Sequence, residues 1–195
     1  DEALHQINRA LFFDAKNKEA LCYRALIETM HGKPNEALAD YNSAIANGEN
    51  GPRVYSNRGS VYQQMGKHKE AIADFNLAVA KEAKINRFSN SMLVTRLMRA
   101  NSYNFLKNYK EATEDFKFAL ANNLPQNLRG EAYRNFGICL FHLKEYKASA
   151  ESYTLALSLI DNKEKAQVLA LRSATYRQLG ELDKSAKDLS LAKHL

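Results

Sequence analysis

The sequence lacks tryptophan and has only two cysteines and three prolines among its 195 residues. It also has no hydrophobic run near the roughly 20 residues that a transmembrane helix needs, so membrane insertion is not expected. Because Cys22 and Cys139 lie far apart in the sequence, we expect reduced thiols in a cytoplasmic protein. The alternative for these thiols is a single cross-link between two chains.

Enzyme motifs are missing as well. The five histidines show neither the HExxH nor the HxxxH spacing, and none is paired in sequence with a cysteine. No glycine-rich loop of the GxGxxG or GxxxxGK[ST] type is present, so no phosphate-binding loop can be recognised. We therefore expect no catalytic residues, no metal and no cofactor in this chain.

Small residues recur along the chain at spacings of 34, 34, 41, 37 and 36 residues. The first series comprises Ala3, Ala37, Ala71, Ala112, Ser149 and Ser185. A second series follows seven residues later with the same gaps, at Ala10, Ala44, Ala78, Ala119, Ala156 and Ala192. A period in the mid-thirties is typical of helical-repeat arrays, in which neighbouring helix pairs bury a continuous core.

Each repeat also places a small residue opposite a large one. A third small series lies twelve residues before the first, at Ala25, Gly59, Ala100, Gly137 and Ser173. Large residues stand between the first two series, at Ile7, Tyr41, Phe75, Phe116, Tyr153 and Leu189. Small residues let two antiparallel helices approach closely and large ones fill the remaining space, so we expect Phe75 and Tyr62 to be buried.

The segments 55–62 and 65–75 resemble a near-complete unit of the tetratricopeptide repeat (TPR) family, and the resemblance extends over the whole chain. It implies an all-α, right-handed superhelical solenoid of antiparallel helix pairs, with about eleven helices. We expect a single domain of five repeats after a half repeat, with bounds at 1–17, 18–51, 52–92, 93–129, 130–165 and 166–195.

The last predicted helix is apolar for a terminal one, since it carries Leu182, Leu189, Leu191 and Leu195. Terminal repeats of solenoids usually present a polar face. We therefore expect the chain to be a fragment of a longer protein. The alternative is that a partner, or a second copy of the chain, covers this helix.

The family resemblance also implies a concave groove lined by the first helix of each repeat. The polar groove positions that it indicates are Arg53, Asn57, Ser60, Gln64, Asn101, Asn104, Arg134, Asn135 and His142. The asparagine amides could hold a peptide backbone, because each offers donors and an acceptor. The alternative is that these side chains only cap, solvate or bridge neighbouring helices.

The carboxylate clamp that chaperone-binding family members use is incomplete in this sequence. Asn57 matches one clamp position, but Cys22 and Leu26 stand where lysine and asparagine are needed. Val94 and Met98 replace the two cations of the third repeat. Neutral residues cannot form the charge-assisted bonds that hold a terminal carboxylate.

Positive charge is concentrated in residues 51–100, which carry 9 basic and 3 acidic side chains, whereas residues 1–50 have a net charge of −3. The basic segment includes Lys81, Lys84 and Arg87 and favours an acidic peptide or protein partner, with a merely solvated face as the alternative. A nucleic-acid partner would require exposed aromatic residues between the basic ones, whereas most aromatic residues here are needed for the core. We therefore do not expect nucleic acid as the partner.

The sequence therefore predicts a protein-interaction module, acting as a scaffold or adaptor of a larger assembly. The alternative function is a substrate-recruiting segment of a multidomain enzyme, such as the family's glycosyltransferases with asparagine-lined grooves.

Overall fold

The computed structural model describes residues 2–85 and 89–195, and over these ranges the chain forms helices and no β-strand. In chain order they are α1 (Glu2–Phe13), α2 (Lys18–Met30), α3 (Pro34–Ala46), α4 (Pro52–Gln64), α5 (His68–Ile85), α6 (Asn90–Phe105), α7 (Tyr109–Ala121), α8 (Gln126–His142), α9 (Tyr146–Leu157), α10 (Asn162–Gln178) and α11 (Leu182–Ala192). These eleven helices of the described ranges confirm the prediction of an all-α chain. Arg87 of the basic segment lies outside the described residues.

The chain divides into two compact units, residues 1–98 and 99–195. In the first unit, α2 packs against α3 and α4 packs against α5, while α3 contacts α4. In the second unit, α8 packs against α9 and α10 against α11, while α9 contacts α10. Short turns join the members of each pair, so each unit is built from antiparallel helix hairpins.

The helices around the 41-residue spacing are longer than those before it. Helix α5 has 18 residues and α6 has 16, whereas α3 and α4 have 13 each. Pro34 and Pro52 each begin a helix, where the missing backbone N–H removes no intrahelical hydrogen bond.

The predicted contacts between small and large residues form inside the hairpins. Phe75 is fully buried on α5, and a Cβ atom added to Gly59 of α4 would lie 2.8 Å from its ring. Gly137 of α8 approaches the ring of Tyr153 in the same way, at 2.7 Å. The prediction for Phe75 is confirmed, whereas Tyr62 is only half-buried, and its ring centre lies 5.8 Å from the guanidinium carbon of Arg58.

Four hairpins are also held by an arginine–aspartate pair, which the repeat pattern of small and large residues does not predict. In each, the arginine Nε and Nη2 donate to both carboxylate oxygens, over 2.5–2.8 Å, and the aspartate is buried. The pairs are Arg24–Asp40, Arg58–Asp74, Arg99–Asp115 and Arg172–Asp188. Two parallel bonds in this geometry fix the relative position of the two helices.

Two of these arginines also reach the preceding hairpin. Arg58 Nη1 donates to Asn42 Oδ1 on α3 at 2.7 Å, and Arg172 Nη1 donates to Thr154 Oγ1 on α9 at 2.9 Å. The α8–α9 hairpin has Phe136 and Ser152 at the two corresponding positions. There the ring of Phe136 lies 6.2 Å from Phe116 of α7, so an aromatic contact replaces the polar one.

The turns within the five hairpins share a left-handed residue. Gly32, Gly66 and Gly180 have φ between 71° and 76°, and Lys107 and Lys144 have φ values of 63° and 62°. In each turn the next residue's N–H bonds to a carbonyl five residues earlier, as Glu145 N does to Leu140 O at 2.9 Å. This pattern is the Schellman motif, in which glycine avoids the steric cost of the left-handed region.

Lys144→Gly should therefore raise the free energy of unfolding by about 0.5–1 kcal/mol, because it removes the Cβ clash of a left-handed residue. The matched control is Lys147→Gly, also an exposed lysine but one with right-handed backbone in the first turn of α9, which should lower stability by up to about 1 kcal/mol. Urea denaturation of both variants measures the difference. A loss of stability in Lys144→Gly would contradict the left-handed backbone at this position.

Candidate peptide-binding surface

The residues predicted to line the groove lie on three helices. Arg53, Asn57, Ser60 and Gln64 belong to α4, Asn101 and Asn104 to α6, and Arg134, Asn135 and His142 to α8. Spacings of three, four and seven residues place the α4 set along one helix face. Arg53, Gln64 and His142 are exposed, and the other six are half-buried.

A cleft of about 340 Å³ lies between α2 and α4 in the first unit, and we call it the α2–α4 cleft. Its lining comprises Glu19, Cys22, Tyr23, Leu26, Glu49, Arg53, Val54 and Asn57. Arg53 and Asn57 are thus brought together in this cleft. Glu49 is paired with Lys18 at 3.7 Å, so the exposed charges left at the cleft are those of Glu19 and Arg53.

One wall of this cleft continues into an exposed apolar strip. Tyr23, Leu26 and Met30 are 59%, 41% and 78% exposed, and their spacing places them on one face of α2. Large apolar side chains exposed together on one face indicate a binding surface more often than single ones do. This strip is a feature that the polar groove positions do not include.

The cleft thiol is poorly suited to nucleophilic chemistry. Burial, followed by the negative charges of Glu49 and Asp40, raises the pKa of Cys22 to about 11. Burial also raises the pKa of Cys139 to about 12. Because these pKa values lie well above 7, both free thiols stay protonated at neutral pH. The thiolate, which is the reactive form of cysteine, is therefore scarce.

Two polar residues adjacent in sequence to the predicted groove positions of α4 contact α6. The hydroxyl of Ser56 lies 2.9 Å from the hydroxyl of Thr95, and Gln63 Nε2 donates to the carbonyl oxygen of Met98 at 2.8 Å. These side chains hold α4 against the middle of α6 within the first unit. Their role is structural.

The amides of the second unit are partly paired with each other. Asn135 Nδ2 on α8 donates to Asn101 Oδ1 on α6 at 3.0 Å, and Arg134 Nε donates to Asn135 Oδ1 at 3.3 Å. Arg134 also lies 3.5 Å from Glu164 and 3.8 Å from Glu131. The two amides therefore bridge α6 and α8, while the NH₂ group of Asn101 makes no hydrogen bond within the described part of the unit.

A second cleft, of about 130 Å³, lies between α8 and α10, and we call it the α8–α10 cleft. It is lined by Ile138, Phe141, His142, Tyr153, Leu171 and Ala174. His142 is the predicted groove residue that it contains. The imidazole ring stacks on Tyr109 of α7, with centroids 4.3 Å apart and planes inclined by 7°.

Several cations of the basic segment are held by local contacts. Lys81 Nζ donates to Asn50 Oδ1 at 2.7 Å and lies 5.3 Å from the ring centre of Tyr55. Arg58 is committed to Asp74. In the described part of this segment Arg53, Lys67, Lys69 and Lys84 are exposed and can meet a partner directly.

Within residues 2–85 and 89–195, no group of three or more histidine, cysteine, aspartate or glutamate side chains could hold a metal ion. None of the helices in these ranges combines the length and the apolar character that crossing a bilayer requires.

Two models of the tetratricopeptide repeat family match the chain, over residues 52–80 and 97–166. No curated protein sequence matches it. Among solved structures it is similar to YrrB, which is described as a TPR protein with an unusual peptide-binding site. The identity is 19% and the TM-score 0.80, and the match covers 95% of this chain and 90% of that chain.

The chain is also similar to MamA, at 15% identity and a TM-score of 0.74, with 87% and 92% of the two chains covered. For PilF of Pseudomonas aeruginosa the identity is 18% and the TM-score 0.73, with 93% and 78% covered. Such low identities show the fold alone, and this fold agrees with the helix hairpins and the two matched segments. The chain belongs to the tetratricopeptide repeat family.

Proposed function

We propose that this chain is a protein-interaction module that binds an acidic segment of a partner protein. The binding surface is the exposed face of the first helix in each repeat. The TPR fold itself is that of a protein-interaction scaffold, and such repeats are generally non-catalytic. The acidic character of the partner, the residues that bind it, the repeat bounds and the cytoplasmic location are our proposals.

The observation that carries this proposal is the α2–α4 cleft of the first unit. It places the exposed guanidinium of Arg53 and the amide of Asn57 beside the exposed side chains of Tyr23 and Leu26. A peptide needs this combination, because apolar contacts supply affinity and a few polar groups set its orientation. Arg53 can bind a carboxylate of the partner, whereas the exposed Glu19 of the same cleft cannot, so the proposed acidic preference rests on Arg53 together with the positive net charge of residues 51–100.

The amides of the second unit add a further surface of suitable chemistry. Asn101 and Asn135 are held in place by their mutual bond, so they lose little side-chain freedom when a ligand binds. The Asn101 NH₂ group can donate to a peptide carbonyl. YrrB, which has the same fold, is itself described as having a peptide-binding site.

The test begins with a partner protein recovered by pull-down and mass spectrometry, from which the bound segment is mapped by cross-linking. The double variant Asn57→Ala/Asn101→Ala should bind this segment about 5- to 150-fold more weakly, because it loses two neutral hydrogen bonds of about 0.5–1.5 kcal/mol each. Isothermal titration calorimetry measures the affinity, and circular dichroism checks that the helices are intact.

The matched control is Asn35→Ala/Asn162→Ala, which removes two exposed amides outside the proposed surface and should leave the affinity unchanged. Binding to an acidic segment should also weaken as salt is added. Equal affinity of both double variants would refute the proposed surface. Binding that does not respond to salt would refute the acidic partner but not the interaction function.

A further inference from the structure

The α8–α10 cleft is apolar and of a size that one side chain can fill. Its volume is about 130 Å³, and its lining of Ile138, Phe141, Tyr153, Leu171 and Ala174 is interrupted only by the ring of His142. An apolar cavity of about 150 Å³ is sufficient to bind benzene. The cleft can therefore accept one bulky apolar side chain but not a longer part of a peptide.

The wall of this cleft is held in place by contacts among aromatic rings. His142 stacks on Tyr109, and Phe141 meets His142 edge to face, with centroids 5.9 Å apart. Phe141 also contacts Tyr146 of α9, with centroids 5.5 Å apart. Because these rings are already fixed by their neighbours, little conformational entropy is lost when a ligand enters.

The charge beside the cleft is positive. Arg177 is exposed and lies one turn beyond Ala174 on the same face of α10, and it has no acidic partner in the described part of the chain. Residues 136–142 of α8 and 168–178 of α10, the parts of these helices at the cleft, contain no aspartate or glutamate; Glu145 and Glu181 follow only beyond the helix ends. The nearby Arg172 is committed to Asp188 of α11.

We propose that the α8–α10 cleft is an anchor site for one aromatic side chain of the partner segment, and that Arg177 binds a carboxylate next to that side chain. This inference rests on the proposed function and specifies the partner further, as an acidic segment that carries a bulky aromatic residue. The apolar lining selects the ring, and the exposed guanidinium of Arg177 selects its acidic neighbour.

The test uses three short capped peptides that differ at defined positions. The first has a phenylalanine between two aspartates, the second replaces the phenylalanine by alanine, and the third replaces both aspartates by asparagine. Affinities come from chemical-shift changes in two-dimensional NMR spectra of the labelled protein. The first peptide should bind at least about tenfold more tightly than the second, as burial of a phenylalanine side chain implies. It should also bind more tightly than the third.

Variants then locate the anchor. Ala174→Leu fills the cleft and should abolish the preference for phenylalanine. Ala170→Leu adds the same side chain one turn earlier, at an exposed position outside the cleft lining, and should keep that preference. His142→Ala removes part of the wall and should weaken the first peptide without affecting the second. Arg177→Gln should abolish the preference for aspartate over asparagine.

The inference is overturned if the first two peptides bind equally, if none of the three binds, or if Ala170→Leu and Ala174→Leu behave alike. A partner segment from the pull-down that still depends on Asn57 and Asn101 would then leave the proposed function standing. If that dependence is absent too, both proposals fail. Peptide shifts confined to α8 and α10, with the expected preferences, support the anchor site.

Discussion

Arg58→Ala is expected to lower the free energy of unfolding by about 3–5 kcal/mol, measured by urea denaturation. The change leaves the carboxylate of Asp74 buried without its cation, and such an uncompensated charge is strongly destabilising. It also removes the bond to Asn42 on the preceding hairpin. Hydrogen exchange should accelerate most in α4 and α5, the two helices that the pair connects.

The chain itself suggests the control for this prediction. The α8–α9 hairpin has Phe136 and Ser152 where the others have arginine and aspartate, so Arg58→Phe/Asp74→Ser copies a combination that this fold already accepts. The double variant should be clearly more stable than Arg58→Ala, because no charge is left buried. A cost for Arg58→Ala below about 1 kcal/mol, or a less stable double variant, would show that the pair does not hold the hairpin.

Arg58→Lys separates geometry from charge. Lysine keeps the positive charge but cannot form the two parallel bonds that the guanidinium makes to Asp74. The loss of stability should therefore lie between that of Arg58→Ala and zero. A variant as stable as the parent would mean that charge alone accounts for the interaction.

The hairpin packing could be predicted from the sequence, because both partners of each contact recur with a fixed spacing. Gly59 and Phe75 are sixteen residues apart, as are Gly137 and Tyr153, and the structure brings each pair into contact. The contact between a small residue and an aromatic one can be predicted from the helix period alone, because the period fixes which residues face the neighbouring helix.

The arginine–aspartate pairs have the same sixteen-residue spacing, and this regularity was the available signal. Arg58 directly precedes the small residue Gly59, and Asp74 directly precedes the large residue Phe75; in the other three hairpins with a pair, the arginine likewise precedes a small residue and the aspartate a large one. Charged residues at helix positions ordinarily indicate a solvated surface, so burial of the aspartate could not be inferred from residue type. Burial became apparent only from the close approach of the two helices.

The candidate site could be predicted less completely than the fold. The helix face was predicted by family resemblance, but the bond between Asn101 and Asn135 depends on the distance between α6 and α8. The stacking of His142 on Tyr109 likewise depends on how α7 meets α8. Such contacts join different repeats, and the spacing within one repeat carries no information about them.

Phe75→Ala is expected to lower the free energy of unfolding by about 3–5 kcal/mol, because it removes a fully buried ring and leaves a cavity in the α4–α5 hairpin. Phe105→Ala is the matched control. That phenylalanine is 68% exposed, so its loss should cost less than about 1 kcal/mol. Urea denaturation of the two variants provides the comparison, and similar costs would contradict the burial of Phe75.

The sign of a second substitution tests the contact between the two helices more directly. In the parent, Gly59→Ala places a Cβ atom 2.8 Å from the ring of Phe75, and overpacking of about 1–3 kcal/mol exceeds or cancels the gain of about 1 kcal/mol in helix propensity. In the Phe75→Ala background the ring is absent, so the same substitution should stabilise the protein by about 1 kcal/mol. The double-mutant cycle should therefore show a coupling of about 1–3 kcal/mol between residues sixteen positions apart. Additive effects would mean that Gly59 and Phe75 do not meet in the folded protein, and that the small residues of this chain are not the contact points of its helices.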